Sequence, residues 1–159
     1  MSIDRVREYF SRLGIQNRIQ EFSVSSATVD LAAIALNCEG KRIAKSLSFL
    51  GRNNDAIMVV CAGDAKVSNS KFKAQFGYRA RMLTPDEAVT LIGHAVGGVC
   101  PFAVNSGVSV YLDISLKRFE TVFPACGSSN SAIELTIFEL EKYSNFISWV
   151  DVCSAWQEQ

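Results

Sequence analysis

Residues 56–62, AIMVVCA, form an unbroken apolar run of strand length. A strand with one wet face alternates apolar and polar residues, so a run without alternation belongs where both faces are covered. Such a strand sits inside a sheet that has further strands at its sides and layers packed on it. The rest of the chain has to supply both.

Just before the run, from Ile43, the period is two: Ile43, Lys45, Leu47 and Phe49 fall on one face, and Arg42, Ala44, Ser46 and Ser48 on the other. Lys45 therefore points where apolar side chains point. Further strands are expected at 18–22, 108–113, 119–125, 131–137 and 146–152 from their β-branched and aromatic content. Helices carry a different period. Val6, Tyr9, Phe10 and Leu13 recur at i, i+3, i+4 and i+7 and end before Gly14; Val29, Ala32, Ala33 and Leu36 follow the candidate caps Ser25, Ser26 and Thr28 and close at Asn37 to Gly40. A short helix with Phe72 and Phe76 is expected between Ser68 and Gly77. Thr84-Pro85-Asp86-Glu87 is a capping box with proline in the first turn, predicting a helix over 85–92 stopped by Gly93, and Thr136 with Glu139 repeats the box. The late strands follow one another across loops too short for helical crossovers. The expected class is α+β, with a mixed, largely antiparallel sheet or barrel flanked by helices.

At 159 residues, 48% of them hydrophobic, the chain is expected to form one domain, 1–159, with a core that needs neither disulfides nor metal. Its five cysteines, Cys38, Cys61, Cys100, Cys126 and Cys153, are odd in number and never spaced CxxC, so they read as buried thiols, and no metal or cofactor is expected. Asp4, Arg5 and Arg7 stand at the start with no apolar segment behind them, and no run approaches the roughly 20 apolar residues of a membrane span. A soluble, cytoplasmic protein without a membrane partner is the expectation. Net charge is zero, yet Lys66, Lys71, Lys73, Arg79 and Arg81 have no acid among them in sequence, whereas Glu134, Glu139, Glu141, Asp151 and Glu158 gather late. A local basic face can meet phosphate in a neutral protein, although a solvated helix and strand would look the same.

The densest chemical signal is Gly93-His94-Ala95-Val96-Gly97-Gly98-Val99-Cys100-Pro101-Phe102. Glycines here let main-chain N–H groups approach a ligand, as an oxyanion hole or phosphate cradle requires; a tight structural turn would use the same residues. His94 is the sole histidine, so a Cys-His or Ser-His mechanism would have to use it, with Cys100 or a serine as nucleophile. A hydrogen-bonded structural or pocket-lining histidine is the preferred reading. Asp113 ends the strand candidate on its polar side, facing either a site or a turn, and Gly127-Ser128-Ser129-Asn130 is a small polar loop.

The pattern Gly93-His94-x-x-Gly97-Gly98-x-x-Pro101-Phe102 resembles the glycine signature of the YbaK/ProX editing family. Thr28 with Ala32-Ala33, Ile43-Ala44-Lys45-Ser46-Leu47-Ser48-Phe49 and Ala125-Cys126-Gly127-Ser128-Ser129-Asn130 agree with it in order and spacing, so the resemblance spans roughly residues 21 to 145. It implies hydrolysis of the ester between a mischarged amino acid and the 3′ acceptor end of tRNA, without metal or covalent intermediate. Prolyl-tRNA synthetase is then a candidate partner, and tRNA-Pro carrying a small amino acid such as alanine or cysteine a candidate substrate.

On this resemblance Lys45 is the family's lysine, acting as base or as cation, with the cation preferred. Gly97 and Gly98 position the substrate carbonyl and its oxyanion. Thr28, His94, Pro101, Phe102, Asp113, Gly127, Ser128 and Asn130 border the substrate, and the Lys66 to Arg81 stretch is a candidate contact to acceptor-stem phosphates. The sequence departs from the family at Ala103, where glycine often stands, and at Ile92, where threonine often stands. Ala125 and Ala132 occupy positions at which cysteinyl-type members tend to carry serine and aspartate.

Overall fold

The structure, a computed structural model, describes residues 2–157; Met1 and Glu158, which entered the reading of the termini and of charge, lie outside the described residues. Helix α1, Ser2–Arg12, lays Val6 and Phe10 fully buried into the core, while Leu13, expected on the same stripe, is 40% exposed beyond the helix end. Strand β1, Gln20–Glu21, is followed by helix α2, Val29–Leu36, whose cap is Thr28: its side-chain oxygen accepts from the Leu31 amide, and Asn37 closes the helix with φ 53°.

Strands β2, Ile43–Leu50, and β3, Ala56–Ala62, form an antiparallel pair in continuous register from Ala44–Ala62 to Leu50–Ala56. Every residue of β3 is buried, as its unbroken apolar run requires. Strand β4, Lys66–Val67, leads into α3, Asn69–Phe76, capped by Ser68 and ended at Gly77. The box at Thr84 forms both of its hydrogen bonds and starts α4, Pro85–Glu87, which then widens into a π-helical turn over Ala88–Ile92. Gly93 closes it with φ 97°.

The second half of the chain gives β5, Ser109–Asp113; β6, Thr121–Pro124; β7, Ser131–Ala132; β8, Leu135–Thr136; α5, Ile137–Ser144; β9, Ser148–Val150; and β10, Cys153–Ser154. The strand expected over 131–137 is thus split. Ile133 turns its amide to the Pro124 carbonyl (3.0 Å), and β7 pairs with β1 while β8 pairs with β6.

The main sheet has the order β8-β6-β2-β3-β5-β9, which places β3 inside it. It is mixed and flanked by helices, as expected for the class, but its parallel share exceeds the expectation: β2–β6, β3–β5 and β5–β9 run parallel. The crossovers that make this possible carry helices, α3 and α4 between β3 and β5, and α5 between β5 and β9. Antiparallel pairing holds for β2–β3, β6–β8 and the two small sheets β1–β7 and β4–β10. Among the described residues no helix is long and apolar enough to cross a membrane.

Candidate active site

Strand β2 is central along only one of its edges. β3 covers that edge throughout, whereas β6 pairs with the other edge only at Ile43–Phe123 and Ala44–Pro124. Farther along, the second edge is taken up by the segment before α4: the Leu50 amide donates to the Arg81 carbonyl (2.9 Å) and the Leu83 amide to the Ser48 carbonyl (3.0 Å). Between these two partners opens a cleft of about 340 Å³, within the range of small-ligand sites. β2 forms its floor; the start of α2, Met82 and Leu83, Ala88, the glycine loop and Ala125 form its walls.

Lys45 lies half-buried in this floor. Its Nζ donates to the carbonyl oxygens of Ala65 (2.5 Å) and Gly63 (3.4 Å), both in the turn after β3. An ammonium has three donors, and these two acceptors leave it one more. Lys45 is therefore anchored by main chain instead of snorkelling into solvent.

The glycine loop enters from above. The Gly98 amide donates to Ala95 O (3.0 Å), closing a four-residue turn whose third residue, Gly97, has φ 96°. A side chain at that φ is strained, which accounts for glycine at 97. Gly98 is required for a different reason: a Cβ there would lie 2.6 Å from Gly127 C and Ser128 N. The resemblance gives both amides a part at the substrate carbonyl and its oxyanion; in the structure the two glycines are required for different reasons. Gly97 lines the cleft, while Gly98 lets the loop press on the 127–128 backbone and spends its own N–H within the turn.

His94 is fully buried, with Nε2 2.8 Å from Phe102 O and Nδ1 without a hydrogen-bond partner among the described residues. Burial lowers its pKa, so the ring is held neutral. Cys100 Sγ is 3.6 Å from the same Nε2, yet burial pushes the thiol pKa up to about 12. A buried thiol held protonated is not a nucleophile, so the Cys-His alternative loses its reactive group. His94, Pro101 and Phe102 shape the loop from behind and do not line the cleft. Ala103, where the family often has glycine, adopts φ 52°, the region that favours glycine.

The loop at 127–130 stands behind the glycine turn. Ser128 Oγ donates to Asn130 Oδ1 (2.9 Å), Asn130 Nδ2 donates to Phe22 O (2.9 Å), and the Ser26 amide donates to Ser129 O (2.6 Å). Gly127, Ser128 and Asn130 therefore hold the wall in place, and Ala125 is the residue of that segment that lines the cleft. From α1, Ser2 Oγ bonds Gly127 O, and Arg5 reaches Ala103 O (2.7 Å) and Gly93 O (3.3 Å). No sequence signal marked Arg5, because its partners lie some ninety residues away in the chain.

Asp113 lies outside the cleft. Fully buried, it accepts from the Ser115 and Val152 amides through Oδ2 and Oδ1, each at 2.9 Å, which makes it the cap of a turn and a clamp on the chain after β9. The basic stretch is likewise less uniform than its sequence: Lys71 pairs with Asp151 (3.1 Å) and Arg81 with Glu87 (3.3 Å). Lys66 is exposed on β4, and Lys73 and Arg79 flank a hollow of about 370 Å³, without an acid partner among the described residues. Ser26, Ala27, Ser46, Ser48, Met82 and Leu83 line the cleft without having been singled out as site residues. Ser46 and Ser48 did carry a signal, small polar residues alternating on one face of an otherwise apolar strand, and their hydroxyls are buried without hydrogen-bond partners among the described residues.

The cleft thus brings together a strand lysine and a glycine turn, and comparison with known proteins gives the family. Residues 24–143 match the family model of the aminoacyl-tRNA editing domain, and the chain belongs to that family. It is 52% identical over 157 residues, 99% of this chain and all of the other, to the uncharacterized protein YwhH of Bacillus subtilis (strain 168). A crystal structure provisionally described as a trans-editing enzyme for prolyl tRNA synthetase superposes with a TM-score of 0.85 at 28% identity, covering 96% of this chain and 97% of that one. A scaffold used for epitope backbone grafting by computational design gives 0.85 at 25% identity over the same shares.

Proposed function

We propose that the protein is a trans-acting aminoacyl-tRNA deacylase that hydrolyses the ester of a mischarged tRNA, with tRNA-Pro carrying a small amino acid such as alanine or cysteine as the substrate class. The observation that carries this reading is that Lys45, its ammonium anchored by two carbonyls, and Gly97 line the same small cleft. Family membership gives the coarser statement, an editing role on aminoacyl-tRNA.

In this reading the acyl group enters the cleft, whose alanine and valine walls suit a small side chain. The remaining donor of Lys45 meets negative charge, either on the terminal nucleotide or on the carbonyl oxygen as water adds. The Gly97 turn brings main chain against the reacting carbonyl, a contact of the kind whose loss costs roughly two to three orders of magnitude in rate. Water is the nucleophile, assisted by the hydroxyl of the terminal ribose. Lys73, Arg79 and Lys66 form the part of the basic stretch available for acceptor-stem phosphates, and prolyl-tRNA synthetase is the partner that would supply the mischarged product.

The test is release of labelled amino acid from a panel that includes alanyl- and cysteinyl-tRNA-Pro, by the wild type and by Lys45→Ala. Release of one amino acid that falls by roughly 100-fold in the variant is the expected result. Absence of release from every substrate, with normal folding and tRNA binding, would replace the enzyme by a binding module.

A further inference from the structure

The alternation of main-chain direction along β2 leaves one position of the strand open. In a regular strand the N–H and C=O of one residue point to the same edge, and those of the next residue to the opposite edge. Leu50 N–H and Ser48 C=O both bond the 81–83 segment, and Ala44 sits in the pairing with β6. The even-numbered residues therefore face this edge, and the register with β3 runs without a bulge from Ala44 to Leu50. Ser46 N–H and C=O point into the gap between β6 and the 81–83 segment, where among the described residues no strand or loop backbone pairs with them. Past Pro124 the pairing of β6 with β2 stops, while on its other edge the antiparallel register shared with β8 continues at Ala125–Ala132. Ser46 lines the cleft, so the gap and the cleft are one space.

An unmatched donor and acceptor three bonds apart on a strand edge select a partner with the same spacing in the opposite sense, which is how antiparallel residues exchange two hydrogen bonds. An α-aminoacyl ester has that pattern: an amine on one side of its Cα and a carbonyl on the other. Resting on the deacylase reading, we propose that the aminoacyl group docks on Ser46 as a single-residue β-bridge. Its α-amino group donates to Ser46 C=O, and its ester carbonyl accepts from Ser46 N–H. The bridge sets which face of the ester carbonyl is turned to the Gly97 turn. It reads the α-amino acid backbone whatever the side chain, and side-chain discrimination falls to the walls. In an antiparallel exchange, opposed residues project their side chains to the same face, so the substrate side chain lies beside the unpartnered hydroxyls of Ser46 and Ser48.

The experiment titrates the ¹⁵N-labelled protein with 3′-(L-alanylamido)-3′-deoxyadenosine, an amide that is not turned over. The expected result is a saturable downfield shift of the Ser46 amide proton, assigned by its loss in Ser46→Pro. In deacylation, Ser46→Pro should lose roughly 100-fold in kcat/KM. Proline removes a donor that the β2–β3 ladder does not use, so the fold is expected to persist. Should Ser46→Pro fail to fold, the wild-type titration decides alone. Shifts at Gly97 and Val99 with an unmoved Ser46 amide would overturn the bridge while leaving the deacylase reading intact. No deacylation and no shift anywhere in the cleft would overturn both.

Discussion

Lys45 and Asp113 look alike in sequence, each a charge at the end or in the middle of an apolar strand, and they sit two strands apart in one sheet. Asp113 is sealed: both carboxylate oxygens are taken by main-chain amides, and it has no exposed surface. Lys45 is anchored by two carbonyls, which leave one ammonium donor, and it lines a cleft. A charge sealed from solvent with both oxygens held by amides holds the fold, whereas one that keeps a donor and lines a cleft is available for chemistry. The distinction lies in the partners, and those are set by tertiary structure.

Lys45→Met tests the open side of this contrast and carries the largest expected effect. Deacylation should fall by roughly 100-fold or more while the urea midpoint moves little, since methionine keeps the aliphatic stem packed. A variant with wild-type turnover would remove Lys45 from the chemistry.

Asp113→Ala tests the sealed side. It strands two buried amides, so a loss of about 3 kcal/mol in equilibrium unfolding is expected, with kcat/KM of the folded fraction close to wild type. Equal damage to kcat/KM would mean that the two charges belong to one site.

The contrast explains how far the sequence could be read. Both capping boxes, the all-apolar β3, the 69–76 helix and the inward lysine were readable because each is set by residues within a few positions of one another. The cleft walls at Met82, Leu83 and Ser26 were not, because they reach the site through pairings fixed by the whole fold. The break of 131–137 into β7 and β8 was not readable because the two pieces take different partners, β1 and β6, and the two-residue strands β4 and β10 are too short to leave a period. Asp113 was read as facing a site or a turn; its two amide bonds select the turn. The glycine pair was recognised, but only the fold separates Gly97, which needs its φ, from Gly98, which needs its missing Cβ.

A third prediction concerns Ala103, whose φ of 52° is unfavourable for a side chain. Ala103→Gly should raise stability by up to about 1 kcal/mol, less the added freedom of the unfolded chain, without changing turnover. A lower melting temperature would show that the methyl group packs usefully.

The fourth lies at the far edge of the sheet. The Arg18 guanidinium, donating to both carboxylate oxygens of Glu139, lowers the carboxyl pKa to about 2. A carboxylate with a depressed folded pKa contributes stability above its unfolded value and loses it as pH falls toward 2, so acid titration of the Arg18→Ala variant should be flatter across that window. The side chains are partly exposed and screened, which limits the expected difference to about 1 kcal/mol. Identical acid curves would remove the pair from the stability of the fold.

The smallest effect is expected in the basic stretch. Reversing Lys73 and Arg79 should weaken tRNA binding and lower its salt slope by about two, whereas reversal at Lys71 and Arg81 should also disturb the pairs with Asp151 and Glu87. Unchanged binding would move the acceptor stem elsewhere.

The contact of Gly98 with the 127–128 backbone has a consequence for how such a protein can diversify. Two peptide planes meet there with no side chain between them, so the spacing of roof and rear wall is a fixed gauge, one backbone thick. A side chain at Gly98 would force one loop off the other. The residues that line the hollow between them, Ala125, Ala88 and Val99, hold no such gauge. A lineage could exchange one amino acid for another by repainting those walls, with the frame that positions the ester left as it stands.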